Sequence, residues 1–195
     1  LALLAVIVIA WGVMWQQGRL SGSAQTGVSM PGSVQVGGPF TLVDAAGKTV
    51  SDTSFRGRWM LVYFGYSFCP DVCPTELQAV AASLDQLGPL AAKVAPLFIT
   101  IDPGRDTPTA IGQYTKLFDD RLIGLTGSDK QIADVARAYR VYYARADSKG
   151  SSDYLMDHSS FLYLMGPDGT LRYLFKPGMS GADMATIMRE KMTAG

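Results

Sequence analysis

Apolar residues come in blocks along this chain, and the spacing inside each block sets the element. Met60-Leu61-Val62-Tyr63-Phe64-Gly65-Tyr66 and Val94 to Ile101 are continuous apolar runs of strand length, which predicts two strands buried on both faces. Leu122 to Leu125, Phe161 to Met165 and Leu171 to Phe175 are shorter runs of the same kind. Between the first two runs, Leu77, Val80, Ala81, Leu84 and Leu87 recur at every third or fourth position, which predicts a helix over Pro74 to Leu87. Thr107-Pro108 places proline at a first helical position and starts a helix that runs to about Phe118. Ser128 caps another helix, about Asp129 to Arg140, and Gly181 to Met192 closes the chain. Asp44-Ala45-Ala46-Gly47 joins Phe40–Val43 to Lys48–Val50 as a hairpin, and Gly166-Pro167-Asp168-Gly169 joins the last two strands. The order is a hairpin, then β-α-β-α-β-α, then a β-hairpin and a helix, which predicts a mixed α/β sheet.

The N-terminus follows a different pattern. Leu1 to Trp15 carries no charge, and only Gly12 is not clearly apolar. As a helix this stretch spans roughly 22 Å, short of the ~30 Å hydrocarbon core of a bilayer. The chain starts at Leu rather than Met, and a few residues before Leu1 would complete a span. The expectation is therefore a transmembrane anchor over residues 1–15, truncated at its N-terminus, with Trp11 and Trp15 at the interface. A cleavable signal peptide, with Ser21-Gly22-Ser23-Ala24 as its processing site, is the alternative. Gln16 to Gly38 is rich in Gly, Ser and Gln without apolar period and reads as a flexible linker with a reach of roughly 25 Å. Residues 39–195 form the folded domain.

Charge changes this picture little. Lys plus Arg and Asp plus Glu number 17 each, the formal charge is zero, and no basic patch stands out, so nucleic acid is excluded as a partner class. Cysteine changes it more. Cys69 and Cys73 are the only two in 195 residues, four positions apart, where the Met60–Tyr66 strand turns into the next helix. Export of the domain permits a plain structural disulfide. In a regular helix, positions i and i+4 lie about 6 Å apart, within the ~4.4–6.8 Å that a disulfide tolerates. Pro70 and Pro74 push Cys69 and Cys73 towards extended geometry, so the motif reads as a loop ending in the first turn of the Pro74 helix. Free backbone N–H groups and the positive dipole there favour thiolate, which attacks disulfides and also ligates metal. A strand end that opens a helix is where a thioredoxin-like fold keeps its active site. Three residues between the cysteines, rather than the two of the usual oxidoreductase spacing, leave both sulfurs free to converge on one ion.

The single histidine, His158, precedes the Phe161–Met165 strand, in a loop placed beside the thiol loop by the expected fold. Two thiolates and an imidazole suit Cu(I), Cu(II) or Zn(II), but three ligands are too few for a closed structural zinc site. Asp71 either tunes this site or caps the helix, and Asp157 is placed to orient the imidazole. Asp102, Arg105 and Asp106 read as an ion pair or loop brace, Met184, Met188 and Met192 as core, and Tyr142 and Tyr143 as packing residues. The residues alone leave three readings open: a metal site, a thiol-disulfide oxidoreductase (or, further off, a peroxidase), and an exported domain with an inert disulfide.

Tyr63 to Leu77, Ile101-Asp102-Pro103-Gly104-Arg105-Asp106-Thr107-Pro108, Gly124-Leu125-Thr126-Gly127, Ala136 to Tyr143 and Asp157-His158-Ser159 together resemble the Sco/SenC family of membrane-tethered copper proteins. The resemblance runs in order from about Gly38 to the C-terminus, with Ser159 where many members have Thr. It implies a thioredoxin-like fold with an extra N-terminal β-hairpin, facing the bacterial periplasm or, in a eukaryote, the mitochondrial intermembrane space. It implies copper held by Cys69, Cys73 and His158 and delivered to the CuA centre of cytochrome c oxidase subunit II. It also implies redox-active cysteines, with a Cys69–Cys73 disulfide as one state, a thiol reductant as a second partner, and thiol-disulfide reductase activity on the subunit's own cysteines.

Overall fold

The two continuous apolar runs become neighbouring central strands. β3 (Trp59–Gly65) and β4 (Val94–Thr100) are buried at every position and pair in parallel, from Trp59 opposite Val94 to Gly65 opposite Thr100. A strand with both faces covered has no polar side to alternate with, which is why each run is unbroken. The computed structural model describes residues 35–146 and 154–193. β5 (Ile123–Thr126) continues the parallel pairing beside β4. β1 (Thr41–Asp44) joins β5 antiparallel, with β2 (Thr49–Ser51) outside it, so the N-terminal hairpin extends this sheet. On the other flank β8 (Leu162–Met165) lies antiparallel to β3, and β9 (Leu171–Phe175) forms the far edge. The order is β2-β1-β5-β4-β3-β8-β9.

Helix α1 (Val72–Leu87) starts two residues before Pro74. The Thr75 amide donates to the Asp71 carbonyl at 3.3 Å and closes the first turn. Pro74 sits inside that turn, where an N–H would have no intrahelical partner, so its ring removes no hydrogen bond. Cys73 is therefore helical, not extended as the flanking prolines predict. Leu77, Val80, Leu84 and Leu87 are buried as the stripe requires, and Ala81 is half-buried. α2 (Pro108–Lys116) and α3 (Asp129–Ala138) follow β4 and β5. The Thr107 hydroxyl accepts from the Ala110 amide at 3.3 Å, and Ser128 and Gln131 form a reciprocal capping box, each cap contributing about 1 kcal/mol. α4 (Gly181–Thr193) lies against α1 and buries Met184 and Met188 in the core, with Met192 packed at its margin. The contact is close at Gly181, where a Cβ would come within 2.7 Å of the Ala82 Cβ and 2.9 Å of the Ala79 carbonyl oxygen.

Two features depart from the pattern in the sequence. α3 stops at Ala138, short of Arg140, because the chain closes it with a Schellman motif. Arg140 adopts φ +59° and donates its amide to the Arg137 carbonyl at 3.2 Å, and the Val141 amide reaches Ala136 at 2.8 Å. That reversal sends the chain into a second, two-stranded sheet, β6 (Tyr143–Ala146) antiparallel to β7 (Leu155–His158). No apolar run announces it, because both strands are only partly covered. Tyr143 packs against the core, but Tyr142 is 63% exposed, so the packing role expected for it does not hold. Two short 3-10 segments, Asp52–Phe55 and Gly88–Lys93, also lack a sequence signal. Among the described residues no helix is long and apolar enough to cross a membrane. The anchor expected over residues 1–15, and the linker up to residue 34, lie outside the described residues.

Candidate metal centre

The thiol loop is built by the turn that leaves β3. The Cys69 amide donates to the Tyr66 carbonyl at 3.2 Å, which folds Cys69 back over the start of α1. The Cys73 amide, an orphan donor of the first helical turn, donates to Cys69 Sγ at 3.4 Å. Cys69 is 8% exposed and Cys73 fully buried, and both are free thiols. Gly65 makes the room: a Cβ there would lie 2.7 Å from Cys73 Sγ and 2.8 Å from the Phe98 ring. The Tyr63 hydroxyl donates to Cys73 Sγ at 3.7 Å from below.

His158 does not sit in a loop before β8. It is the last residue of β7, opposite Tyr143 on β6, and the hairpin carries it to the thiols. Its Nδ1 donates to the Ser159 carbonyl at 3.1 Å, so Nε2 is the ring atom that faces Cys73 Sγ at 3.6 Å. Tyr63 and Tyr66 flank the imidazole edge-on, with centroids 6.3 and 6.0 Å away. The two sulfurs and a ring nitrogen all lie within 4.8 Å of one another. Cys69 and His158 open into a cleft of about 270 Å³ bordered by Pro70, Val72, Leu155 and Ser160, with Cys73 buried behind it.

The two thiols are electrically unequal. A hydrogen bond from the Cys73 thiol, opposed by burial and reinforced by His158 and by the Asp71 and Cys73 amides, brings the Cys69 thiol down to about 3. Cys73 is pushed up, by serving as that donor, by burial and by the Cys69 charge. Cys69 is thus the thiolate at neutral pH and Cys73 its proton-bearing partner. A bound ion would take the Cys73 proton's place, since thiolate is the ligating form.

The remaining expected residues distribute differently. Asp71 reaches the site through its backbone amide, and its exposed carboxylate makes no cap hydrogen bond to α1. Asp157 is an exposed residue next to His158 on β7 and lines the cleft beside it. The Ser159 carbonyl occupies the imidazole nitrogen that Asp157 was expected to orient. Asp106 is the buried hub of a brace. It accepts from the Ser67 amide at 3.1 Å, from the Ser67 hydroxyl, and from Thr100 at 2.6 Å, tying the thiol loop to the loop after β4. Asp102 and Arg105 form the expected ion pair beside it. Tyr63, Gly65 and Tyr66 carry no motif signal of their own; their place at the end of a buried apolar run, three to six residues before Cys69, is the available signal.

The model of the SCO1/SenC family matches residues 28–193. The chain belongs to the SCO1/SenC family. It is 42% identical over 164 residues to the human mitochondrial SCO1 homolog, covering 81% of this chain but only 54% of that protein's length. It is 38% identical to the SCO2-like protein of Rickettsia conorii, covering 82% of this chain and 78% of that one. Among solved Sco structures, Arabidopsis thaliana ScoI with copper bound superposes with TM-score 0.78 at 38% identity, covering 82% of this chain and 99% of that one. Bradyrhizobium japonicum ScoI with copper bound gives 0.74 at 41% identity, covering 80% and 99%. These Sco neighbours fix the mixed α/β architecture as thioredoxin-like, with the β1–β2 hairpin added at one flank.

Proposed function

We propose that this chain is a copper metallochaperone in which Cys69 Sγ, Cys73 Sγ and His158 Nε2 hold the ion, and that the ion is delivered to the CuA centre of cytochrome c oxidase subunit II. The observation that carries the reading is the convergence of these three donors within 4.8 Å. Two soft sulfurs and one borderline nitrogen fit copper, and among the described residues the cluster lacks the fourth ligand of a structural zinc site. The copper-bound relatives support the same ion. Copper is cargo here, so the site must release it as well as bind it. Cys69, slightly exposed, faces the cleft, and the client's thiolates replace the protein ligands one at a time. Oxidation of the pair by a client disulfide, which takes the two electrons and becomes two thiolates, turns the two site thiolates into one disulfide and removes two of the three ligands, so a thiol reductant resets the site. Residues 1–15 serve as membrane anchor and 16–38 as tether, keeping the domain, residues 39–195, near its client in the periplasm, or in the mitochondrial intermembrane space of a eukaryote.

The unequal thiols favour a second reading, a membrane-tethered thiol-disulfide oxidoreductase. A low-pKa Cys69 backed by a buried, protonated Cys73 is an attacking and resolving pair. One experiment separates the two. Copper-loaded protein is mixed with the reduced, copper-free soluble domain of subunit II, and the reduced apoprotein with the same domain in its disulfide form. Growth of CuA absorption in the first mixture, lost in His158→Ala, supports the chaperone. Disulfide reduction in the second without copper transfer in the first would replace it with the reductase.

A further inference from the structure

We propose that Arg105 and Tyr154 are positioning residues for the copper ligand His158, acting through the β6–β7 hairpin; this rests on the reading of His158 as the third ligand. Among the described residues the hairpin pairs with no strand of the main sheet, so something else must fix where its last residue points. Met156 and His158 lie on one side of β7, Tyr154 stands just before the strand in the same alternation, and Tyr154 and Met156 are the residues held. The Met156 amide donates to the Tyr66 hydroxyl at 3.1 Å. Arg105 Nη1 donates to the Tyr154 carbonyl at 3.0 Å. The Asp102 carboxylate then closes the unit. One oxygen takes Arg105 Nε, and the other accepts the Tyr154 hydroxyl at 2.7 Å.

The Arg105 guanidinium also stacks on aromatic faces, 3.7 Å from the Tyr154 ring centroid, 4.6 Å from Phe68 and 5.7 Å from Tyr66. Arg145 of β6 covers the same Tyr154 ring, also at 3.7 Å. Arg105 Nη2 is buried without a hydrogen-bond partner among the described residues, so this guanidinium is held by rings as much as by oxygens. The anchored Tyr154 is four residues from His158, about 13 Å along an extended strand. Freed at that anchor, the strand swings and the imidazole leaves the sulfurs. The thiols are placed by their own turn and by the Asp106 brace on Ser67, so they do not depend on this clamp. Arg105 touches no ligand atom, so its influence on copper passes through the hairpin.

The test is a double-mutant cycle on Cu(I) affinity, measured by competition with a chromophoric chelator, using wild type, His158→Ala, Arg105→Ala and the double variant. Arg105→Ala is expected to weaken binding roughly 10- to 100-fold, the usual effect of losing a group that orients a metal ligand, with no further loss in the His158→Ala background. Equal loss in both backgrounds would overturn the proposal, because Arg105 would then act on the thiol loop through Phe68. No loss in either would overturn it as well. Tyr154→Phe keeps the stack and removes one hydrogen bond, and it carries the cycle if Arg105→Ala does not fold, with a smaller loss expected in the same pattern. A second readout needs no metal. His158 is the only histidine, so the nitrogen-15 imidazole spectrum of the apoprotein reports it alone. Loss of the Nδ1–H bond to Ser159 in Arg105→Ala supports the brace, and an unchanged spectrum overturns it. If His158→Ala itself leaves wild-type affinity unchanged, the ligand assignment falls, and the imidazole spectrum still decides the brace.

Discussion

Two regions supply the candidate centre, and they are built in opposite ways. The β3–α1 region brings both thiols from one short turn, over a buried strand, with Gly65 cleared to admit Cys73. The β6–β7 hairpin brings the imidazole from 85 residues away, on strands that are half-exposed and joined to the body by side-chain contacts. The first region is made by local backbone geometry and core packing. The second is docked. On the proposed chaperone reading, the strong donors are fixed and the weaker one sits on the less constrained element, which suits an ion that is bound and then passed on.

The largest expected effect comes from the fixed side. Cys69→Ser or Cys73→Ser removes one of two soft donors and is expected to abolish copper retention against a chelator, whereas His158→Ala weakens it and leaves a two-thiolate site. If His158→Ala were the more damaging, the ranking of the two regions would be reversed. Next is packing. Gly65→Ala drives a methyl into Cys73 Sγ and the Phe98 ring, and overpacking of this kind costs about 1–3 kcal/mol. That corresponds to a fall in melting temperature of roughly 2–4 °C per kcal/mol, checked by thermal unfolding. His158→Ala is expected to leave the melting temperature nearly unchanged.

The thiols and their histidine also differ in how much of them the sequence displays. The cysteines, the strand before them and the helix after them are legible because spacing, apolar runs and proline positions are local signals. The helix starts two residues ahead of Pro74 because proline in a first turn removes no hydrogen bond, which propensity alone does not carry. The residue identity of His158 was legible, and its placement was not. The hairpin that holds it has no apolar run, and its strands are partly covered by Tyr66, Arg105 and the core, which are contacts at long sequence separation. The same blindness hid the exposure of Tyr142 and the Ser159 carbonyl that takes the place expected of Asp157. Asp102, Arg105 and Asp106 are legible as a brace, but only the fold reveals that Asp106 holds the thiol loop while Asp102 and Arg105 hold the hairpin.

Two smaller effects sharpen the contrast through pH. The Cys69 thiol lies near about 3, so its alkylation by iodoacetamide is expected to stay flat through neutral and mildly acidic pH and to fall only as that value is approached, with Cys73 remaining unmodified. An ordinary thiol titration for Cys69 would remove the asymmetry. Behind the thiols, Glu76 is buried, accepts the Gly178 amide at 2.6 Å and has its carboxyl raised above 4.5 by burial. As pH rises from 4.5 through the folded value, the unfolded chain releases a proton that the folded chain keeps, so stability falls. Glu76→Gln is expected to flatten that decline and to raise stability at neutral pH, measured by urea unfolding across pH. Smallest of all is the entry to the hairpin. Arg140→Gly relieves a left-handed residue and is expected to stabilise the protein by about 1 kcal/mol without altering copper affinity.

The central claim is that one copper ion is held by both thiolates and the imidazole together. X-ray absorption on the reduced, copper-loaded protein measures this directly. The expected result is two sulfur scatterers and one imidazole nitrogen per copper, with the nitrogen shell lost in His158→Ala and the sulfurs retained. An imidazole shell that survives His158→Ala, or a copper with no imidazole in the wild type, would contradict the account.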